Sequence, residues 1–406
     1  MKFRPLPAVA GIAFFWCLAC GGLDPGPLDP GTPVADTVPR FNDLLEPIRE
    51  KHDLPAVGAA VFDSSGQLLG IGAVGQRGVG VDGAPSEAVT VEDRWHLGSD
   101  TKAMTATLAA LVVEQSTLSF DTPVTALLPD ADPTWQAVTL RHLLSHTGGV
   151  RDEIGDLRRL YIMARHGFDD APAGRASWVE AMVSAPPHDA PGDYHYSNEG
   201  YILAGHLLEL QQGQSWEQLM TDRLFAPLKM EHTGFGPPTG PHPWGHVDNS
   251  GALAAVLPSL VADNPGALGP AGTVHATLAD WARFGALHLA AARDSPRLLS
   301  GESFSALHEK QSDYYALGWI VAEDEDFGGA SVLTHDGSNS YWYARVMLVP
   351  AHDRGYLFVT NASRSGNDAA DDAIAALAVA YPAATQPEAA AEPEAADASE
   401  AAPQTD

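Results

Sequence analysis

His96-Leu97-Gly98-Ser99-Asp100-Thr101-Lys102 opens an apolar run that continues to Val113. The run predicts a helix with a serine at its mouth and a lysine one turn in. Residues three apart on a helix share a face, so the Lys102 amine can reach the Ser99 hydroxyl. A serine alkoxide is hard to form in water, and a nucleophilic serine needs a base beside it. The positive end of the helix dipole also favours an oxyanion there. Ser-x-x-Lys alone occurs by chance in many proteins of this length, so its meaning rests on what the rest of the chain offers.

Working outward, residues 41–51 carry Phe41, Leu44, Leu45 and Ile48 at helical spacing. Residues 55–62 and 67–74 read as two strands joined by Asp63-Ser64-Ser65-Gly66. Strand patterns return at 316–322, 331–334, 341–349 and 355–360, and 371–381 reads as a closing helix. The middle is mostly helical pattern broken by Pro and Gly. This predicts an α/β (α+β) fold: one antiparallel sheet built from both chain ends, flanked by helices, with an all-helical lobe inserted. The expected domain is 41–382, with a sheet lobe at 41–98 and 300–382 and a helical lobe at 99–299. Ser99 then sits at the first crossing between lobes.

The ends read differently. Lys2 and Arg4 precede an apolar run at 6–19, so residues 1–20 are expected to be an export signal. Both cysteines lie there, and Leu18-Ala19-Cys20-Gly21-Gly22 resembles a bacterial lipoprotein cleavage site with Cys20 as the lipidated residue. Cys17 departs from the aliphatic residue usual at that position, and a plain secretory signal cut near Ala19 is the alternative. The expected location is the cell envelope through a lipid anchor at Cys20, otherwise periplasmic or secreted. Beyond Cys20 there is no cysteine to form a disulfide or a thiolate site. Residues 21–40 read as a flexible linker and 383–406 as a disordered acidic tail.

The formal net charge is -29. Residues 1–22 contribute +2 and residues from Gln386 on contribute -6, which leaves about -25 between them. Nucleic-acid binding rests on Lys and Arg neutralising phosphates, so nucleic acid is not an expected partner.

Two further stretches carry chemistry. Tyr194-His195-Tyr196-Ser197-Asn198 precedes an apolar helical run, so Tyr196 and Asn198 can be held toward a cleft. A free tyrosine ionises near pH 10 and needs a cationic neighbour to act as a base; Lys102 would supply it. His335-Asp336-Gly337-Ser338 ends a strand pattern. The Ser338 N–H, paired with that of Ser99, would form an oxyanion hole, with His335 and Gly337 lining the pocket.

Taken in this order, Ser-x-x-Lys, Tyr-x-Asn and His-x-Gly resemble the serine hydrolases related to class C β-lactamases and D,D-peptidases, a family that also holds esterases and D-aminopeptidases. Leu140 to Gly149, Gly269 to Thr277, Asp280 to Phe284 and Gly318-Trp319 add to the likeness, which spans about 42–381. The resemblance implies a β-lactamase/transpeptidase-like fold with Ser99 as acylated nucleophile, Lys102 as its proton partner and Tyr196 as general base, then acid. It implies that Asn198 orients Lys102 or substrate. No metal or organic cofactor is required. The substrate is expected to be a small molecule or peptide with an ester, amide or lactam carbonyl.

The third motif departs from the Lys-Thr-Gly of the β-lactamases. Histidine is mostly neutral at pH 7, which favours an esterase or a D-amino-acid peptidase over a β-lactamase or D,D-carboxypeptidase. Arg345 is a candidate to replace the lost charge. A non-catalytic protein binding peptidoglycan or a partner in the same cleft is the alternative of a different class. The pairs His142/His146 and His242/His246 have zinc-compatible spacing, but neither follows His-Glu-x-x-His. No Gly-x-Ser-x-Gly turn is present.

Overall fold

The first and last strands of the chain lie side by side. Strand β1 (Ala56–Phe62) pairs antiparallel with β11 (Arg354–Thr360), Val57 opposite Thr360. The computed structural model describes residues 34–383 apart from 83, 85, 152–164, 167–169, 250, 259–261, 294 and 296. The expected export signal, Cys20 and nearly all of the acidic tail lie outside the described residues.

The main sheet is antiparallel and six-stranded, in the order β2 (Leu68–Gly75), β1, β11, β10 (Tyr343–Val349), β9 (Ala330–Ser338), β8 (Ile320–Asp324). Side chains alternate across a strand with period two. Val57, Ala59 and Val61 of β1 therefore face one layer with Tyr356 and Phe358 of β11. That layer is closed by α1 (Asn42–Lys51) and the last helix, α10 (Gly366–Ala380). Ala60, Phe62, Leu357 and Val359 face the opposite layer. There they meet α8 (Leu278–Ala291) through Leu278, Trp281 and Phe284. With both faces covered, β1, β10 and β11 are apolar almost throughout.

The remaining helices are α2 (Thr101–Gln115), α3 (Leu140–Leu144), α4 (Ala171–Val183), α5 (Asn198–Gln212), α6 (Trp216–Met220), α7 (Gly269–Gly272) and α9 (Gly301–His308). Twelve consecutive residues of α2, Thr101 to Val112, are buried. A helix that is apolar all round is an interior one, and α2 is the axle on which α5, α6 and α7 pack.

The structure moves several expected boundaries. Helix α8 falls within the 99–299 expected for the helical lobe, yet it packs on β1, β10 and β11. Residues 99–299 also contain strands. β7 (Val274–Thr277) and β4 (Gly234–Phe235) join β3 (Arg94–His96), just before that range, in a three-stranded sheet, and β5 (His246–Asn249) with β6 (Ala252–Ala255) make a hairpin. Strands of two to four residues are too short to show alternation. The strand expected at 316–322 begins only at Ile320, because Gly318 turns with φ +79°. Residues 34–40, expected in the linker, are docked: Val34 is buried and its N–H donates to Glu92 Oε1 at 2.7 Å.

Candidate active site

Strand β3 delivers the nucleophile segment. It pairs with β7, and after it the Leu97 N–H donates to the Val274 carbonyl at 2.9 Å. A short 3-10 turn, Gly98–Asp100, then leads into α2. Gly98 has φ +52°, and a Cβ there would lie 2.4 Å from the Ser338 nitrogen. Only glycine lets the turn rest directly on the end of β9. Gly337 is constrained from the other side: a Cβ would lie 1.9 Å from the Leu97 carbonyl oxygen. Ser99 and Ser338 are thus brought to one place by two glycines, one on each wall.

Lys102 is fully buried and points back at the turn. Its Nζ donates to Ser99 Oγ at 3.1 Å, Asn198 Oδ1 at 2.9 Å and the Ala271 carbonyl at 2.7 Å. An ammonium has three protons to donate, and the three acceptors suit that form. Nζ also lies 4.7 Å from the centre of the Tyr196 ring. Asn198 opens α5, where the Ser197 hydroxyl accepts the Gly200 N–H as N-cap. Tyr196 sits just before that cap and is 41% exposed.

His146, read from sequence as half of a zinc-spaced pair within the family-like segment 140–149, holds the Tyr196 loop. Its Nδ1 accepts the Ser197 N–H at 3.0 Å, and its ring lies 4.3 Å from that of Tyr196. Its pKa is held well below the usual histidine value by burial, with Lys102 adding to the effect. Backbone bonds from His195 to the His146 carbonyl and from Gly192 to the Thr147 carbonyl tie the two loops together. Its signal in sequence was the segment Ser145-His146-Thr147-Gly148-Gly149, whose glycine at 149 adopts φ +67°. The other three histidines of the zinc-spaced pairs have local partners: Thr139 for His142, Asp93 for His242 and the Asn361 carbonyl for His246.

Two expected pocket residues stand elsewhere. His335 was expected to line the pocket, but it is 3% exposed with both ring nitrogens engaged. Nδ1 donates to the Asp336 carbonyl at 2.8 Å, so Nε2 must accept, and it does so from the Tyr315 hydroxyl at 3.0 Å. Burial lowers its pKa to about 4, helped by Lys102. It is a neutral support behind Tyr315. Arg345 points away from the cleft and is committed to Asp336 (2.5 Å) and Asp371, with the Tyr343 hydroxyl and Asn367 completing its shell. It does not replace a substrate-binding lysine.

Asp100 was not singled out in the sequence. Its carboxyl turns inward, lies against Gly337, and has no hydrogen-bond partner among the described residues. Burial pushes its pKa well up, and Asp336 adds to the shift. This buried carboxyl therefore sits directly against the third-motif strand at Gly337.

The Beta-lactamase family model matches residues 41–381. Penicillin-binding protein 4 of Amycolatopsis lactamdurans is 30% identical over 340 residues, covering 79% of this chain and 84% of that protein. Unguisins hydrolase ungD' of Aspergillus campestris is 25% identical, covering 80% of this chain and 61% of its own length. Among solved structures, a penicillin-binding protein homologue from Pyrococcus abyssi superposes with a TM-score of 0.67 at 21% identity, over 83% of this chain and 76% of that one. A D-stereospecific amidohydrolase from Streptomyces gives 0.62 at 20%, over 82% and 97%.

Proposed function

Since the chain belongs to the beta-lactamase family, we propose that it is a serine hydrolase that works through an acyl-enzyme. The observation that supports this most is the placement of Lys102 Nζ, 3.1 Å from Ser99 Oγ and 4.7 Å from the Tyr196 ring centre.

In this reading Ser99 Oγ attacks a carbonyl carbon. Lys102, donating to Ser99, Asn198 and Ala271, stays cationic and favours the Tyr196 phenolate. Tyr196 takes the Ser99 proton and passes it to the leaving group. The N–H groups of Ser99 and Ser338 receive the oxyanion. Water then attacks the acyl-enzyme, Tyr196 removes its proton, and the acid leaves as Ser99 is reprotonated.

The substrate is an ester or amide of the esterase or D-amino-acid peptidase type. Neither His335, buried and neutral, nor Arg345, the candidate to replace the third-motif charge but paired with acids, is suited to bind a substrate carboxylate. A β-lactam or a D,D-peptide depends on such a carboxylate contact. The protein is exported and carries a lipid on Cys20 in the same reading.

The test is labelling with a fluorescent fluorophosphonate, then a panel of para-nitrophenyl esters, D-aminoacyl amides and a chromogenic cephalosporin. Labelling of the wild type and none of Ser99→Ala is expected, with turnover of esters or D-aminoacyl amides above that of the cephalosporin. A wild type that never labels favours a non-catalytic binding protein. A cephalosporin turned over fastest favours the β-lactamase reading.

A further inference from the structure

A buried knot of polar side chains lies behind the two walls that carry Ser99 and Ser338. At its centre is Asp263, whose side chain is closed to solvent. Asp263 Oδ1 accepts from Asn339 Nδ2 at 3.0 Å and from the Asn264 N–H at 2.6 Å. The same oxygen lies 2.8 Å from Nε2 of His96, which is equally buried. That approach is a close contact whose atoms are not aligned as a hydrogen bond.

The tautomer of His96 follows from its other nitrogen. Nδ1 accepts the Gly98 N–H at 3.0 Å and so carries no proton. The proton is on Nε2, the side of the Asp263 carboxylate. His96 is also stacked on Trp342, 5.4 Å between ring centres at 26°. Trp342 and Tyr341 in turn donate their backbone N–H groups to Asn339 Oδ1.

Two arms therefore leave one carboxylate. One runs through His96 to Gly98, the residue before Ser99. The other runs through Asn339, the residue after Ser338. The neighbouring Asn264 adds a third tie, from its Nδ2 to the Gly272 carbonyl at 3.1 Å. Gly272 follows Ala271, whose carbonyl receives Lys102.

We propose that Asp263 is the positioning residue of the oxyanion hole, setting the Ser99 and Ser338 N–H groups in mutual register through His96 and Asn339. The inference rests on the serine-hydrolase reading above. Asp263 does not touch substrate. Its effect is on donors that matter most as charge develops on the carbonyl oxygen, so it acts on the transition state more than on substrate binding. Loss of a whole oxyanion donor costs about 10²- to 10³-fold in kcat, and loss of its positioning should cost a fraction of that.

The test compares wild type with Asp263→Ala, Asp263→Asn, His96→Asn and Asn339→Ala on a para-nitrophenyl ester. It also measures inhibition by a phenylboronic acid, which bonds to the serine and places an oxygen in the hole. Circular dichroism checks folding. For Asp263→Ala, kcat is expected to fall at least about tenfold with KM within about threefold, and boronate affinity should weaken in parallel. Asp263→Asn keeps an acceptor oxygen and should recover most of kcat. If Asp263→Ala does not fold, His96→Asn and Asn339→Ala each cut one arm and should show the same kcat pattern.

Folded variants that keep kcat within about threefold overturn the proposal, as does a loss confined to KM or to melting temperature. A wild type that takes no fluorophosphonate sinks the serine-hydrolase reading together with this one. A wild type that labels, beside arm variants with unchanged kcat, sinks this one alone.

Discussion

The imidazole of His146 lies 4.3 Å from the Tyr196 ring, centre to centre, and holds the next residue, Ser197, by its backbone N–H. One buried side chain thus fixes both the plane of the tyrosine ring and the loop that carries it. His146→Ala should lower kcat by about 10- to 100-fold, since misplacing a reacting group by an ångström costs that much. His146→Phe keeps a ring but not the acceptor and should fall between. Steady-state kinetics on a para-nitrophenyl ester decides it, and wild-type kcat in folded His146→Ala would show that the stack does not position Tyr196.

Asn198 supplies an acceptor to Lys102 through its Oδ1. Asn198→Ala should reduce kcat/KM by roughly tenfold or more through loss of lysine placement, with melting temperature little changed. A large fall in melting temperature with unchanged kcat/KM would make the residue structural instead.

Arg345 is tied to Asp336 and Asp371 and is 9% exposed in its side chain. Removing one partner of a buried pair leaves the others uncompensated, though here both acids are partly solvated. Arg345→Met should cost about 2 kcal/mol of stability and leave KM unchanged for esters with or without a carboxylate. A KM that rises only for the carboxylate esters would return Arg345 to the pocket.

Burial holds four histidines, His246, His275, His308 and His335, down to about 4, against an ordinary 6.5. The unfolded chain takes up these protons near pH 6.5 and the folded chain only near pH 4. Between those values the unfolded state binds more protons, so stability is complete above pH 6.5 and is lost as pH falls toward 4. Each group contributes on the order of 3 kcal/mol at the lower limit. Four such terms are comparable with the whole stability of a domain, roughly 5 to 15 kcal/mol. The melting temperature should therefore fall steeply from pH 6.5 to 4.5. A flat profile across that window would contradict the burial of these rings.

Asp100 works in the opposite sense. Its folded pKa is raised above the ordinary 3.8, so the unfolded chain releases this proton first and stability is lost as pH rises from about 4. Asp100→Asn is neutral throughout and escapes this loss. The melting temperature of wild type relative to Asp100→Asn should decline as pH rises from 4 to 8, while kcat near neutral pH stays within about threefold. A constant difference across that range would show that Asp100 does not titrate.

The sheet built from both chain ends was legible because β1, β10 and β11 are long enough to show their apolar character and sit between turn residues. That Ser99, Lys102, Tyr196 and Asn198 come together was legible because the first two are one helical turn apart and the last two stand at the start of another helix. What escaped has physical causes. Arg94–His96 and Gly234–Phe235 are too short to carry a period, and their pairing with Val274–Thr277 is a matter of long-range contact. His335 looks the same in sequence whether it faces substrate or supports Tyr315. The Ala271 carbonyl has no side-chain signature at all. Asp263 and His96 lie 167 positions apart, and nothing local in either stretch announces the other.

The pairing of Val57 with Thr360 also bears on how the molecule comes into being. The two inner strands that complete the sheet are the last to be synthesised, and closing a loop of that length precedes any reward from the contacts it makes. Until then β1 and β2 have an open edge, which is the condition under which chains stick to one another. Folding should therefore be slow and concentration-sensitive, and deletion of β11 should yield aggregate in place of a smaller folded core.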